Sequence, residues 1–206
     1  MLSWQAGTLS EIQIGGDDVG ASSTLGRAFY DDKNDFANVN TAINLGVFTT
    51  NLITAYINSS STFKSKFDAL IPGRGTAVGF HADDVTVLSP GFNRSNPGNT
   101  AGENARYDDI MDAVDALGRS VSVILAHEVG HSVGLVANGA PPAGLIGNES
   151  NASFSGPYTN LYHLDTTGNN IMQSALSFSN MVATGAGAPF FDKLLMAYLQ
   201  QRTLTQ

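Results

Sequence analysis

The sequence predicts an α+β domain on three observations. Apolar alternation at Ile12 and Ile14, again at Val78 and Phe80, and beyond a break at Asp83-Asp84 at Val85 and Val87, has the period of strands. Helical spacing governs residues 40–57, 107–117 and the stretch from Val121 onward. Residues 138–170 read almost entirely as loop, about half of them Gly, Pro, Asn or Ser, an irregular length that is uncommon in a compact protein and usually functional.

In chain order, residues 1–25 read as one strand and a loop, and Arg27–Tyr30 as a second short strand. Asp31-Asp32-Lys33-Asn34-Asp35 has the carboxylates for Ca2+ but lacks the glycine and terminal Glu of an EF-hand loop, so a solvated turn is expected. In 40–57, Leu45, Phe48, Leu52 and Tyr56 fall on one side and Ile43, Val47 and Ile57 on the other, so this helix should be covered on both. Ser59-Ser60-Ser61 ends it, and Phe63–Ile71 forms a short helix before Pro72-Gly73 turns the chain.

Thr76–Leu88 gives the clearest strand signal, with Val78 and Phe80 on one face and His81 on the other. That makes His81 a candidate cleft residue, against the plainer alternative of a partly exposed strand histidine. Residues 89–102 read as loop. Tyr107–Leu117 is a helix with Ile110, Val114 and Leu117 as its stripe, and Gly118 separates or bends it from the next. That next helix buries Val121, Leu125 and Val129 and stops near Gly134, a residue able to take the left-handed C-cap conformation. A final helix packs through Phe191, Leu194, Leu195 and Tyr198.

The 206 residues, 42% of them apolar, suit one domain spanning 1–206, with an upper lobe of about 1–134 and a lower lobe of about 135–206. The strongest apolar runs fall far short of the roughly 18 residues of a membrane span, so no membrane partner is expected. A net charge of -8 with ten scattered Lys and Arg argues against nucleic acid. The chain has no Cys, so any zinc must be held by His and carboxylate. Met1-Leu2-Ser3-Trp4 carries neither a basic nor a long apolar leader region, and four Asn-X-Ser matches carry little weight.

The densest chemistry is His127-Glu128-Val129-Gly130-His131, an HExxH stretch. Residues four apart on a helix share a face, so the two imidazoles can grip one metal ion. A catalytic zinc holds three protein ligands and a water whose pKa it lowers to about 7, and Glu128 is placed to take that water's proton and pass it to a leaving amine. An ordinary buried helix could also place two His four apart. With four His in the whole chain and a Glu in the required position, the site is the better reading. The third ligand decides the class, and its candidates are His163, Asp165 and Glu149.

His127 through Gly134 resembles the start of the metzincin metalloprotease signature HExxHxxGxxH, and Ile171-Met172 looks like that clan's Met-turn, a methionine beneath the zinc. The resemblance covers about the last 85 residues. The usual third-His position is Ala137, which cannot bind metal; leishmanolysin-like members interpose an insertion there, which would make His163 the displaced ligand. The gluzincin alternative uses a downstream Glu on a helix, and Asn148-Glu149 resembles its Asn-Glu pair. Residues 148–155, however, sit among Gly147, Gly156 and Pro157 and make a poor helix.

The metzincin resemblance implies a twisted mixed sheet with two main helices in the upper lobe and an irregular lower lobe closed by the C-terminal helix. It also implies one catalytic Zn2+, a secreted monomer and a protein or peptide substrate lying extended along a sheet edge, with residues 173–189 walling a specificity pocket. Tyr158 and Tyr162 flank His163, but the oxyanion-stabilising group stays unassigned. Rival readings are a zinc-binding enzyme that is not a peptidase and a silent binding module on the same fold; intact Glu128 argues against the second.

Overall fold

The computed structural model describes residues 13–18, 20–21, 23–28, 46–59, 62–135, 163 and 168–204. The acidic turn at 31–35, the start of the helix expected from residue 40, Ala137, Glu149, Tyr158, Tyr162 and Asp165 lie outside them. The chain divides into two compact units, residues 1–52 with 121–206 and residues 53–120.

In the first unit, β1 (Gly26–Arg27) and β2 (Gly46–Val47) pair antiparallel, Gly26 opposite Val47 and Arg27 opposite Gly46. The other edge of β2 is met by residues 13–15: Val47 N–H donates to the Gln13 carbonyl at 2.8 Å, and Gly15 N–H to the Val47 carbonyl at 2.9 Å. This small sheet explains why the helix expected over 40–57 starts late. Gly46 has φ +137 and lies so close to Gln13 that an added Cβ would sit 2.1 Å from its carbonyl oxygen, so the chain here is extended sheet. α1 (Thr49–Asn58) begins only beyond it. Its first turn ties down the loop before β1, because Asn51 Nδ2 donates to the carbonyls of Ala21 (3.2 Å) and Thr24 (2.8 Å).

The second unit is built around a buried ion pair. Arg106 donates to Asp84 through Nε (2.7 Å) and Nη2 (3.2 Å), with both side chains buried. The same carboxylate accepts the amides of Gly79 (2.7 Å) and His81 (3.0 Å). These bonds, the Arg106 guanidinium first among them, hold the Asp84 carboxyl down at about 2. The strand expected over Thr76–Leu88 is therefore absent: the chain turns through 78–83 and enters a short helix, α2 (Asp84–Val87). Alternating apolar residues resemble a strand, but a carboxylate that gathers two nearby amides competes with sheet pairing and wins. Phe80 and Val85, which a half-buried strand would have covered, are 79% and 86% exposed. The core lies instead among Ala69, Val87, Ile110 and Ala113, with Leu70, Phe92 and Tyr107 packed on it. Thr62–Leu70 forms a run of 3-10 turns where a short helix was expected.

α3 (Ala101–Ser132) is one continuous helix, where two shorter helices flanking Gly118 were one of the expectations. It starts earlier than the apolar stripe suggested because Thr100 and Glu103 form a reciprocal cap: Glu103 N–H donates to Thr100 Oγ1 at 3.1 Å, and Thr100 N–H to Glu103 Oε2 at 2.7 Å. Its buried stripe runs through Ile110, Ala113, Ala116 and Ser120 to Ile124, His127, Glu128 and His131, and Val114 and Val129 are exposed. The Ser120 hydroxyl donates to the Ala116 carbonyl (2.8 Å) and accepts the Tyr56 hydroxyl (2.6 Å), whose burial pushes its pKa up to about 12. α4 (Phe178–Met181) and α5 (Lys193–Leu204) complete the first unit, whose core includes Leu135, Met172, Met181 and Leu195. The side chains of Leu194 and Tyr198 lie outside the described residues.

Candidate metal centre

The last turns of α3 present His127, Glu128 and His131 on its buried face. The helix stops where the site needs it to. Gly134 takes φ +78, its N–H donates to the His131 carbonyl (3.0 Å) and the Leu135 N–H donates to the Gly130 carbonyl (2.9 Å). This is a Schellman C-cap, with Leu135 folded back into the core.

His127 and His131 approach each other through Nε2 at 3.0 Å. The His163 ring completes the group: its centroid is 5.2 Å from that of His127, nearly parallel to it, and 5.0 Å from that of His131, at 90°. One ring nitrogen from each of the three lies within 4.8 Å of the others. Tetrahedral zinc with Zn–N near 2.0–2.1 Å requires N–N separations of about 3.3 Å, so small adjustments of three side chains would suffice to enclose such an ion.

The proton positions agree with that use. His127 Nδ1 lies 2.7 Å from the Ile171 carbonyl, which can only accept, so Nδ1 carries the proton and Nε2 offers a lone pair. His131 Nε2 can then donate to His127 Nε2 in the metal-free protein. That tautomer leaves the buried His131 Nδ1 as an acceptor with no hydrogen-bond partner among the described residues. A cation between the rings would let both Nε2 atoms turn lone pairs toward it, with the His131 proton then carried on Nδ1. Burial is the main cause that lowers the pKa of His127 to about 4 and that of His131 to about 3, with neighbouring imidazoles adding to it. Both are neutral, as metal ligands must be.

Met172 lies against α3 at Gly130 and is fully buried. A Cβ at Gly130 would fall 2.5 Å from its sulfur, so the glycine inside HExxH is what allows the close approach. The turn that carries Met172 is fastened on both sides. Asn170 Oδ1 accepts the Met172 amide (3.0 Å), Ile171 N–H donates to the Phe190 carbonyl (2.9 Å) and Phe190 N–H to that of Asn169 (2.8 Å). Thus the carbonyl that orients His127 is itself held in place.

Glu128 is 5% exposed, and burial raises its carboxyl to about 7 against the opposing pull of Arg27 and of the Ala28 amide, which donates to it. Arg27 is in turn paired with buried Asp18 and lies 6.0 Å from the Phe48 ring centre. This contact between β1 and the carboxylate was not visible in the sequence, where about a hundred residues intervene and no motif marks position 26 or 28. His81 does not join the group. It belongs to the second unit, where its Nδ1 accepts the Asp83 amide at 3.2 Å.

Compared with known family models, characterised proteins and solved structures, the chain finds no match.

Proposed function

We propose that the chain is a zinc-dependent endopeptidase of metzincin type, with His127, His131 and His163 as metal ligands, Glu128 as general base and acid, and Met172 as the methionine beneath the ion. The observation that supports it most is the convergence of three imidazoles, two from one helical turn and one from far along the chain, beside a buried carboxylate. Zinc held there would supply an acidified water and a polarised substrate carbonyl. The protein's own groups supply the rest. The Ile171 carbonyl fixes the His127 tautomer, and Glu128, with a pKa near 7, can accept a proton at neutral pH and return it to a departing amine.

A polypeptide substrate, secretion and a monomeric state belong to the same proposal and are carried by the family resemblance alone. No helix among the described residues is long and apolar enough to cross a membrane. Incubation of the purified chain with casein and a peptide library tests the reading. Hydrolysis that a chelator abolishes and stoichiometric zinc restores is expected. Zinc binding without peptide cleavage would shift the reading to a zinc enzyme acting on another bond.

A further inference from the structure

We infer that β1 and the residue that follows it position the general base: Gly26 leaves the space in which the Glu128 carboxylate lies, and the Ala28 amide holds it there. The inference rests on the peptidase reading and adds two residues outside the HExxH stretch. A Cβ at position 26 would lie 2.4 Å from Glu128 Oε1, 2.8 Å from Glu128 Cγ and 2.8 Å from Ile124 Cγ2, all closer than real Cβ contacts come.

What would give way decides the consequence. The strand cannot easily retreat, because Gly26 is in register with Val47 and the Phe48 amide donates to the Leu25 carbonyl at 2.9 Å. On the next residue, the Arg27 side chain is anchored to Asp18. Ile124 is 1% exposed, and a side chain in a close-packed interior has little room to yield. The Glu128 carboxylate, at the end of a rotatable side chain, is left to move, and moving it breaks the bond from Ala28. A glycine within a strand normally weakens it and often marks the close approach of another group. Here that group is the side chain that must face the reacting water.

Amide hydrogen exchange on the metal-free full chain, with steady-state kinetics on the zinc-loaded one, tests this. The Ala28 amide is expected to be protected in wild type and to exchange about tenfold faster or more in both Gly26→Ala and Glu128→Ala. With zinc, Gly26→Ala is expected to keep wild-type metal stoichiometry and KM while kcat falls about 10- to 100-fold, as a misplacement near 1 Å does. Glu128→Asp, whose carboxylate is shorter, should cost less in the Gly26→Ala background than in wild type. An unchanged kcat in zinc-loaded Gly26→Ala, or unchanged Ala28 protection in Glu128→Ala, overturns the positioning role and leaves the peptidase reading standing. Should Gly26→Ala fail to fold, Ala28 exchange in Glu128→Ala decides. A wild-type chain that binds zinc and cleaves no peptide removes the peptidase reading instead, while Ala28 exchange still reports whether β1 holds Glu128.

Discussion

Glu128 and the two histidines flanking it face opposite demands from the same burial. Desolvation disfavours whichever form is charged, so it keeps His127 and His131 neutral and holds the Glu128 proton on to about pH 7. Neutral imidazoles can ligate a metal, and a carboxyl near 7 can trade a proton in either direction. Replacing Glu128 with Gln preserves shape and removes the proton transfer. The expected outcome is zinc retained at one ion per chain, with kcat reduced by about 10²- to 10⁴-fold. Metal analysis and peptide-cleavage rates on the same preparation check it, and cleavage at the wild-type rate would rule out the assigned role.

At the scale of elements, α3 carries most of what could be read from the sequence and much of what could not. HExxH was legible because helical geometry turns a four-residue spacing into a shared face, a purely local inference. The Gly134 cap was legible for the same reason. Apolar patterning favours Val121, Leu125 and Val129 as the buried stripe, yet the buried positions are taken by Ser120, Ile124, His127, Glu128 and His131. A helix face that houses a site is polar, so hydrophobic patterning mistakes it for the outside. The early start at Ala101 is marked by the Thr100–Glu103 pair, but that pair sits at the end of residues 89–102, which are otherwise rich in turn formers and hide it. At 76–88, period-two alternation misled because Asp84 organises the chain through long-range pairing with Arg106. His163, 32 residues beyond His131, came from a family resemblance and not from spacing. Because α3 runs unbroken through exposed Gly118, where an added Cβ meets nothing within 4 Å, Gly118→Ala should stabilise the protein. The expected gain is about 0.5–1 kcal/mol, measurable by urea unfolding, and destabilisation would indicate a real break in the helix there.

For the whole molecule, the buried site links folding to protons and to metal. His127 and His131 have folded pKa values below the ordinary 6.5, so the stability they contribute is complete above that value and is lost as pH falls toward about 4 and 3. Glu128 has the opposite sign: its folded pKa lies above the ordinary 4.5, so stability is lost as pH rises from there to about 7. Between roughly pH 6.5 and 4.5 the two effects oppose each other; below that the histidines lose stability with acid unopposed, joined below 3.8 by Asp84, whose folded pKa is about 2. Thermal melts of the metal-free chain should therefore show Tm falling more steeply with acid below pH 4.5 than above it. A Tm independent of pH across the range would mean that these rings are not buried and neutral.

Zinc should add stability in proportion to its binding, about 2.7 kcal/mol at a free concentration 100 times Kd. The most direct measurement is X-ray absorption at the zinc edge, with metal stoichiometry, on the wild-type chain and on His163→Ala. The expected result is one zinc per wild-type chain in a shell of three imidazole nitrogens at about 2.0–2.1 Å and one oxygen. In His163→Ala, one nitrogen should be lost and affinity should fall by more than the 10- to 100-fold that loss of a supporting residue costs. A wild-type chain that takes up no zinc, or a shell and affinity unchanged by the loss of His163, would contradict a centre built from these three histidines.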